Sequence, residues 1–145
     1  MQHIEKPQLD PETQKGMDYG NVHEIDAIAT VPSLILPLFY PDLKYFEEGC
    51  LKVPHERNES FLVVSPDGSF RESEYATARL MYEHKCKAPN SYLSSAYYYI
   101  PYYYVTQLLN EMHAYDCKEL LFTCWSKQST TNVGEMLGRH YRYIW

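Results

Sequence analysis

The sequence predicts an α/β (α+β) domain, a β-sheet with helices packed on it. Three observations carry that prediction. A helical apolar periodicity begins at Tyr19; short β-prone runs stand at 61–64, 80–86 and 119–125; and a long helical pattern over 91–114 separates the last two runs. With a short strand beside Gly49, the order is helix, three strands, helix, strand, which requires a sheet that buries one stripe of each helix.

Residues 1–15 hold Pro7, Pro11 and several charges with little apolar content. They read as a flexible N-terminal arm, with the domain proper at 16–145. From Tyr19, Val22, Ile25, Ile28 and Ala29 recur at three- and four-residue steps. Pro32 should stop or interrupt that helix, since it brings no N–H and its ring meets the preceding turn. SLILPLFYP, with Pro37 inside and Pro41 at its end, reads as a short irregular or helical piece. KYFEEGCLKVP reads as a turn at Gly49 flanked by a short strand. After FLVV at 61–64, Ser65-Pro66-Asp67-Gly68 has turn chemistry, because proline presets φ and glycine accepts positive φ. Extended structure then returns, with Leu80 to Cys86 the best strand, until APN breaks it. In 91–114, Pro101 must sit near a helix start or at a kink, and Val105, Leu108, Leu109 and Met112 form the apolar stripe. ELLFTCW at 119–125 is a buried-looking strand; TTNVGEMLGRHYRYIW fits neither pattern.

The 145 residues suit a single domain with a real core. A formal net charge of −6 argues against a simple basic patch for nucleic acid, and composition alone favours a protein-binding or small-molecule role. Carboxylates gathered around divalent cations, or phosphate-binding segments outside this chain, would reconcile that acidity with a nucleic-acid substrate. Cys50, Cys86, Cys117 and Cys124 form no C-x-x-C pair and no zinc spacing, so free thiols in a reducing compartment are expected. The polar N-terminus has no signal core, and no apolar run approaches the roughly 20 residues of a membrane helix. An intracellular protein with no membrane partner is expected.

Three features bear on chemistry. Asp67 lies in the Pro-Asp-Gly turn, which by itself reads as a hairpin turn. Glu83 and Lys85 alternate along one strand and so share a face, with Tyr82, His84 and Cys86 on the other. A carboxylate and an ammonium on a central strand are costly to bury without purpose; an edge strand with its polar face in water is the plainer reading. Tyr104 and Gln107, three residues apart, share a helix face, as surface and core neighbours routinely do. His23, His113 and His140 have no partners at metal spacing. Eight of the fifteen tyrosines fall between Tyr82 and Tyr104. Core packing and a protein interface account for most of them, and stacking on frayed bases is the functional alternative.

Taken in order, SPDG at 65–68, EHKC at 83–86 and YVTQ at 104–107, after Gly20, Glu24 and Ala27 at G-x-x-x-E-x-x-A spacing, are a demanding constellation. The chain resembles the YqaJ-like viral recombinase and lambda-type exonuclease family of the PD-(D/E)xK nuclease superfamily, most strongly over 16–126. The resemblance implies a restriction-endonuclease-like core, a central mixed sheet flanked by helices. The family's opening helical segment, whose serine and arginine grip a terminal phosphate, has no counterpart in residues 1–15. TTNVGEMLGRHYRYIW also matches no family element, so a core truncated at both ends is expected.

The resemblance further implies a metal-dependent DNA phosphodiester hydrolase, an exonuclease on linear duplex DNA in recombination or repair. Hard Mg²⁺ or Mn²⁺ ions want oxygen ligands. Asp67 and Glu83 would be the main ones, with the His84 carbonyl and Glu24 completing the set. Lys85 would orient or deprotonate the attacking water or neutralise developing charge, and Gln107 and Tyr104 would fix water, lysine or phosphate by hydrogen bonds. DNA, a homo-oligomer and a single-strand annealing protein are the implied partners, and the nucleus is the place of work in a eukaryote. The alternative is a catalytically inactive relative that binds DNA or protein through the same fold.

Overall fold

A computed structural model describes residues 9–54, 61–88, 97, 99–127, 129–137 and 140–144. Helix α1 (Pro11–Thr30) starts within the stretch expected to be a flexible arm. Asp10 is its N-cap: the carboxylate accepts the Glu12 and Thr13 backbone N–H groups, both at 3.0 Å. Pro11 follows at the first helical position, where a missing N–H costs nothing. Residues 11–15 are therefore helix, and residues 1–8 lie outside the described residues.

Neither Pro32 nor Pro37 ends the helical path. The chain widens into a π-helical turn at Val31–Ile35 and continues as α2 (Leu36–Phe39), stopping before Pro41. Pro32 has no N–H for the Ile28 carbonyl; the Ser33 hydroxyl donates there, at 3.5 Å. The Leu36 N–H reaches back to the Val31 carbonyl, the wider spacing of a π-turn. The whole path Pro11–Phe39 contains an 18-residue window of mean hydropathy 1.4, long and apolar enough to cross a membrane by length and composition. That corrects the expectation of no such run.

Among the described residues the strands are β1 (Lys44–Glu47), β2 (Leu51–Pro54), β3 (Phe61–Val64), β4 (Gly68–Arg71), β5 (Leu80–Cys86), β6 (Glu119–Ser126), β7 (Ser129–Leu137) and β8 (His140–Ile144). A mixed sheet runs in the order β1-β4-β5-β6-β7-β8, while β2 and β3 form a separate antiparallel pair. Only the β5–β6 pairing of the mixed sheet is parallel, and helix α3 (Tyr102–Ala114) makes the crossover it requires. Residues 97 and 99–101 are not helical, so α3 is shorter than the 91–114 pattern, with Pro101 at its N-cap; residues 89–96 lie outside the described residues. The sequence 130–145, which fitted no pattern, falls largely in the β7–β8 hairpin.

Two cores cover the faces of this sheet. Met81, Leu120 and Phe122 pack under α3 against Leu108 and Met112. Leu80, Tyr82 and Leu121 pack on the other face with Val31, Leu36 and Phe70. The α1 face on the sheet is not the expected stripe: Val22 and Ile25 are 67% and 66% exposed, while Ala27 and Val31 are fully buried. Gly20, Glu24, Ala27 and Val31 recur at helical steps along one side. This side rests on the end of β5, where the Cys86 thiol meets the His23 carbonyl oxygen at 3.4 Å.

Candidate active site

Ser65-Pro66-Asp67-Gly68 closes no hairpin. It carries the chain from β3 in the small sheet to β4 in the large one. Gly68 is demanded by a close approach: a Cβ there would lie 2.3 Å from the Tyr45 ring and 2.8 Å from the Phe46 carbonyl oxygen. The Tyr45 hydroxyl in turn donates to the Asp67 carbonyl at 2.7 Å, fixing the residue before the glycine.

Because β4 begins at Gly68, opposite Tyr82, β5 runs on beside β6 alone from Glu83 to Cys86. Asp67 stands at the edge so exposed. Its Oδ2 accepts the His84 backbone N–H at 2.7 Å, replacing the missing ladder bond. Its own N–H points at Glu83 Oε2, at 3.4 Å. The N–H and carbonyl of one strand residue leave on the same edge, so the His84 carbonyl shares this edge with Asp67. Burial pushes the Asp67 carboxyl up, against the His84 N–H and the Lys85 ammonium, which pull it down.

On the α1 face, Glu24, Asp67 and His84 each offer a ligand atom, all within 4.8 Å of one another, so they could hold a metal ion. His84 Nδ1 is buried, has no aligned hydrogen bond, and lies 3.1 Å from Asp67 Oδ2. The pair is not a salt bridge, because burial draws the imidazole down and leaves it neutral at pH 7. Neighbouring ligands on a metal ion at about 2.1 Å stand about 3.0 Å apart, close to the separation of Asp67 Oδ2 and His84 Nδ1. The residues present therefore could hold a metal ion. The imidazole ring joins the set, a donor the sequence reading had confined to the His84 carbonyl.

On the α3 face, Glu83 is 1% exposed. Its Oε1 accepts from Lys85 Nζ and from Gln107 Nε2, the latter at 2.7 Å. Burial pushes the Glu83 carboxyl up, against the pull of the Lys85 ammonium. Burial alone would lower Lys85, but the Glu83 charge and hydrogen bond outweigh it and its pKa is raised. Tyr104 meets Lys85 through its ring face, 5.3 Å from Nζ to the centroid. Gly20, Glu24, Asp67, His84, Lys85 and Tyr104 line a common cleft of about 590 Å³.

All seven residues singled out from the sequence thus gather at one end of β5, in two layers. Glu24, Asp67, His84, Lys85 and Tyr104 face the cleft; Glu83 and Gln107 lie behind. Sequence reasoning missed Glu111, a buried carboxyl bonded to Gln107. Its position, in phase with Leu108 and Met112 on the apolar side of α3, was the signal available. No family model matches the chain, and no curated protein matches it.

Proposed function

We propose that the chain is a metal-dependent DNA phosphodiester hydrolase of the YqaJ-like, lambda-type exonuclease kind, acting on linear duplex DNA in recombination or repair. One relationship supports this reading above others. Asp67 touches both Glu83 and His84 at an open strand edge, and Glu24 and Lys85 reach the same cleft.

Glu24, Asp67 and His84, with Glu83 behind them, would hold Mg²⁺ or Mn²⁺, which supplies an activated water and charge stabilisation for an electron-rich transition state. The carboxylates accept either ion, and the imidazole inclines the set toward Mn²⁺. Lys85, whose ammonium the Glu83 charge favours, would neutralise charge on the phosphate or orient or deprotonate the attacking water. Gln107 holds the Glu83 carboxylate in place, and the Tyr104 ring covers the lysine. The exposed rings of Tyr99, Tyr102 and Tyr103 are available for stacking on frayed bases.

A net charge of −6 favours a second reading, an inactive relative that binds DNA or protein. A homo-oligomer, a single-strand annealing partner and, in a eukaryotic host, the nucleus belong with the first reading. Because Glu24 faces the cleft, α1 reads as a site-bearing helix of an intracellular protein and not as a membrane span. Incubating the purified protein with linear duplex DNA and Mg²⁺, Mn²⁺ or EDTA decides between them. The proposal expects metal-dependent loss of DNA, abolished in Asp67→Ala and Lys85→Ala. Binding without degradation would support the inactive relative.

A further inference from the structure

We propose that Glu111 is a positioning residue, which locks the orientation of the Gln107 amide and through it the Glu83 carboxylate. The inference rests on the hydrolase reading for its consequence, but not for its geometry. Gln107 Nε2 donates to Glu83 Oε1 at 2.7 Å and to Glu111 Oε1 at 2.8 Å. Both amide protons are thereby committed to carboxylates, and the amide oxygen must point away from them. With Glu83 ionised beside the Lys85 ammonium, a flipped amide would set its oxygen against a carboxylate oxygen, so the pair favours one orientation. Glu111 sits one helical turn beyond Gln107, where the two side chains meet along α3.

Glu111 is 1% exposed, between the core residues Leu108 and Met112, and its Oε2 has no hydrogen-bond partner among the described residues. A leucine or methionine would fill the same space without burying an unsatisfied oxygen. Burial and the Glu83 charge raise the carboxyl to about 7, a sign of how poorly the surroundings accept its charge. With one bond among the described residues, to the side chain that holds Glu83, Glu111 acts through that side chain.

The test uses Glu111→Leu, Glu111→Gln and Gln107→Met, with Mn²⁺-dependent cleavage of linear duplex DNA as one readout. The other is the Gln107 side-chain NH₂ resonances, assigned by their loss in Gln107→Met. Glu111→Leu should lower kcat on the order of 10- to 100-fold with KM unchanged and the melting temperature not reduced. Its Gln107 resonances should collapse toward exposed-glutamine values. Glu111→Gln keeps an acceptor oxygen and should restore both rate and resonances. Unchanged resonances in Glu111→Leu, or Glu111→Gln as damaging as Glu111→Leu, overturn the proposal. If the wild-type protein cleaves no DNA with either metal, the hydrolase reading fails while the resonances still decide the role of Glu111.

Discussion

Asp67 Oδ2 accepts the backbone N–H of His84 at 2.7 Å and lies 3.1 Å from the ring Nδ1 of the same residue. One carboxylate oxygen thus completes the strand edge and faces the buried His84 ring, whose Nδ1 has no aligned hydrogen bond among the described residues. Asp67→Asn keeps an acceptor for the N–H but loses the charge. It should fold as the wild type does, within a few degrees of melting temperature, and bind no Mn²⁺ by calorimetry. Glu24→Gln should weaken binding by a smaller factor, because Glu24 is exposed. Equal Mn²⁺ binding by wild type and Asp67→Asn would remove the metal centre from the reading.

The corrected α1 face can be tested by substitution. Val22→Glu and Ile25→Lys, at exposed positions, should change stability by less than about 0.5 kcal/mol. Ala27→Leu, at a fully buried one, should cost about 1–3 kcal/mol by overpacking. Urea unfolding measures all three, and the reverse ranking would restore the Val22–Ile25 stripe.

Gly68→Ala places a methyl against both the Tyr45 ring and the Phe46 carbonyl oxygen. A loss of about 1–3 kcal/mol is expected. Tyr45→Leu should not rescue it, because the backbone oxygen stays where it is. Full rescue in the double variant would show that the ring alone sets the limit.

Removing the amine of Lys85 leaves the buried Glu83 carboxylate without its counter-ion. Lys85→Met should lose about 3 kcal/mol at neutral pH, the low end for a broken buried pair because Lys85 is partly exposed. Acidification should shrink the deficit, since burial has already pushed Glu83 toward its neutral form. Unfolding at pH near 5 and near 8 checks the direction.

Glu111 gives the opposite kind of pH signal. Burial raises its carboxyl from 4.5 to about 7, so the fold accepts the neutral acid. Its contribution to stability is whole below its unfolded value and is lost as pH rises through about 7, on the order of 3 kcal/mol in all. Glu111→Gln stays neutral throughout. Stability of the wild type relative to this variant should fall between about pH 4 and pH 8. A pH-independent difference would mean that the carboxylate is accommodated after all.

The strands at 61–64, 80–86 and 119–126 were legible because their periodicity and flanking turns are local properties. So was the shared face of Glu83 and Lys85, which follows from strand alternation alone. What was not legible depends on distant partners. Asp10 and Pro11 are a helix start in plain chemistry, but polar surroundings hid them. Pro32 fails to stop α1 because Ser33 takes over its duty toward Ile28. Val22 and Ile25 satisfy the helical period, yet the side bearing Ala27 and Val31 is the one that the fold buries. The SPDG turn could not be known as a bridge between sheets until β3 was seen to pair with β2.

Glu24 comes from a helix, Asp67 from an inter-sheet linker and His84 from a strand. A bound cation would act as a clasp across three separate parts of the chain. Adding the cation should therefore raise the melting temperature, and hydrogen exchange should slow along α1 more than within the strands it rests on. Without the ion, the helix that carries Glu24 would be the first part of the architecture to peel away.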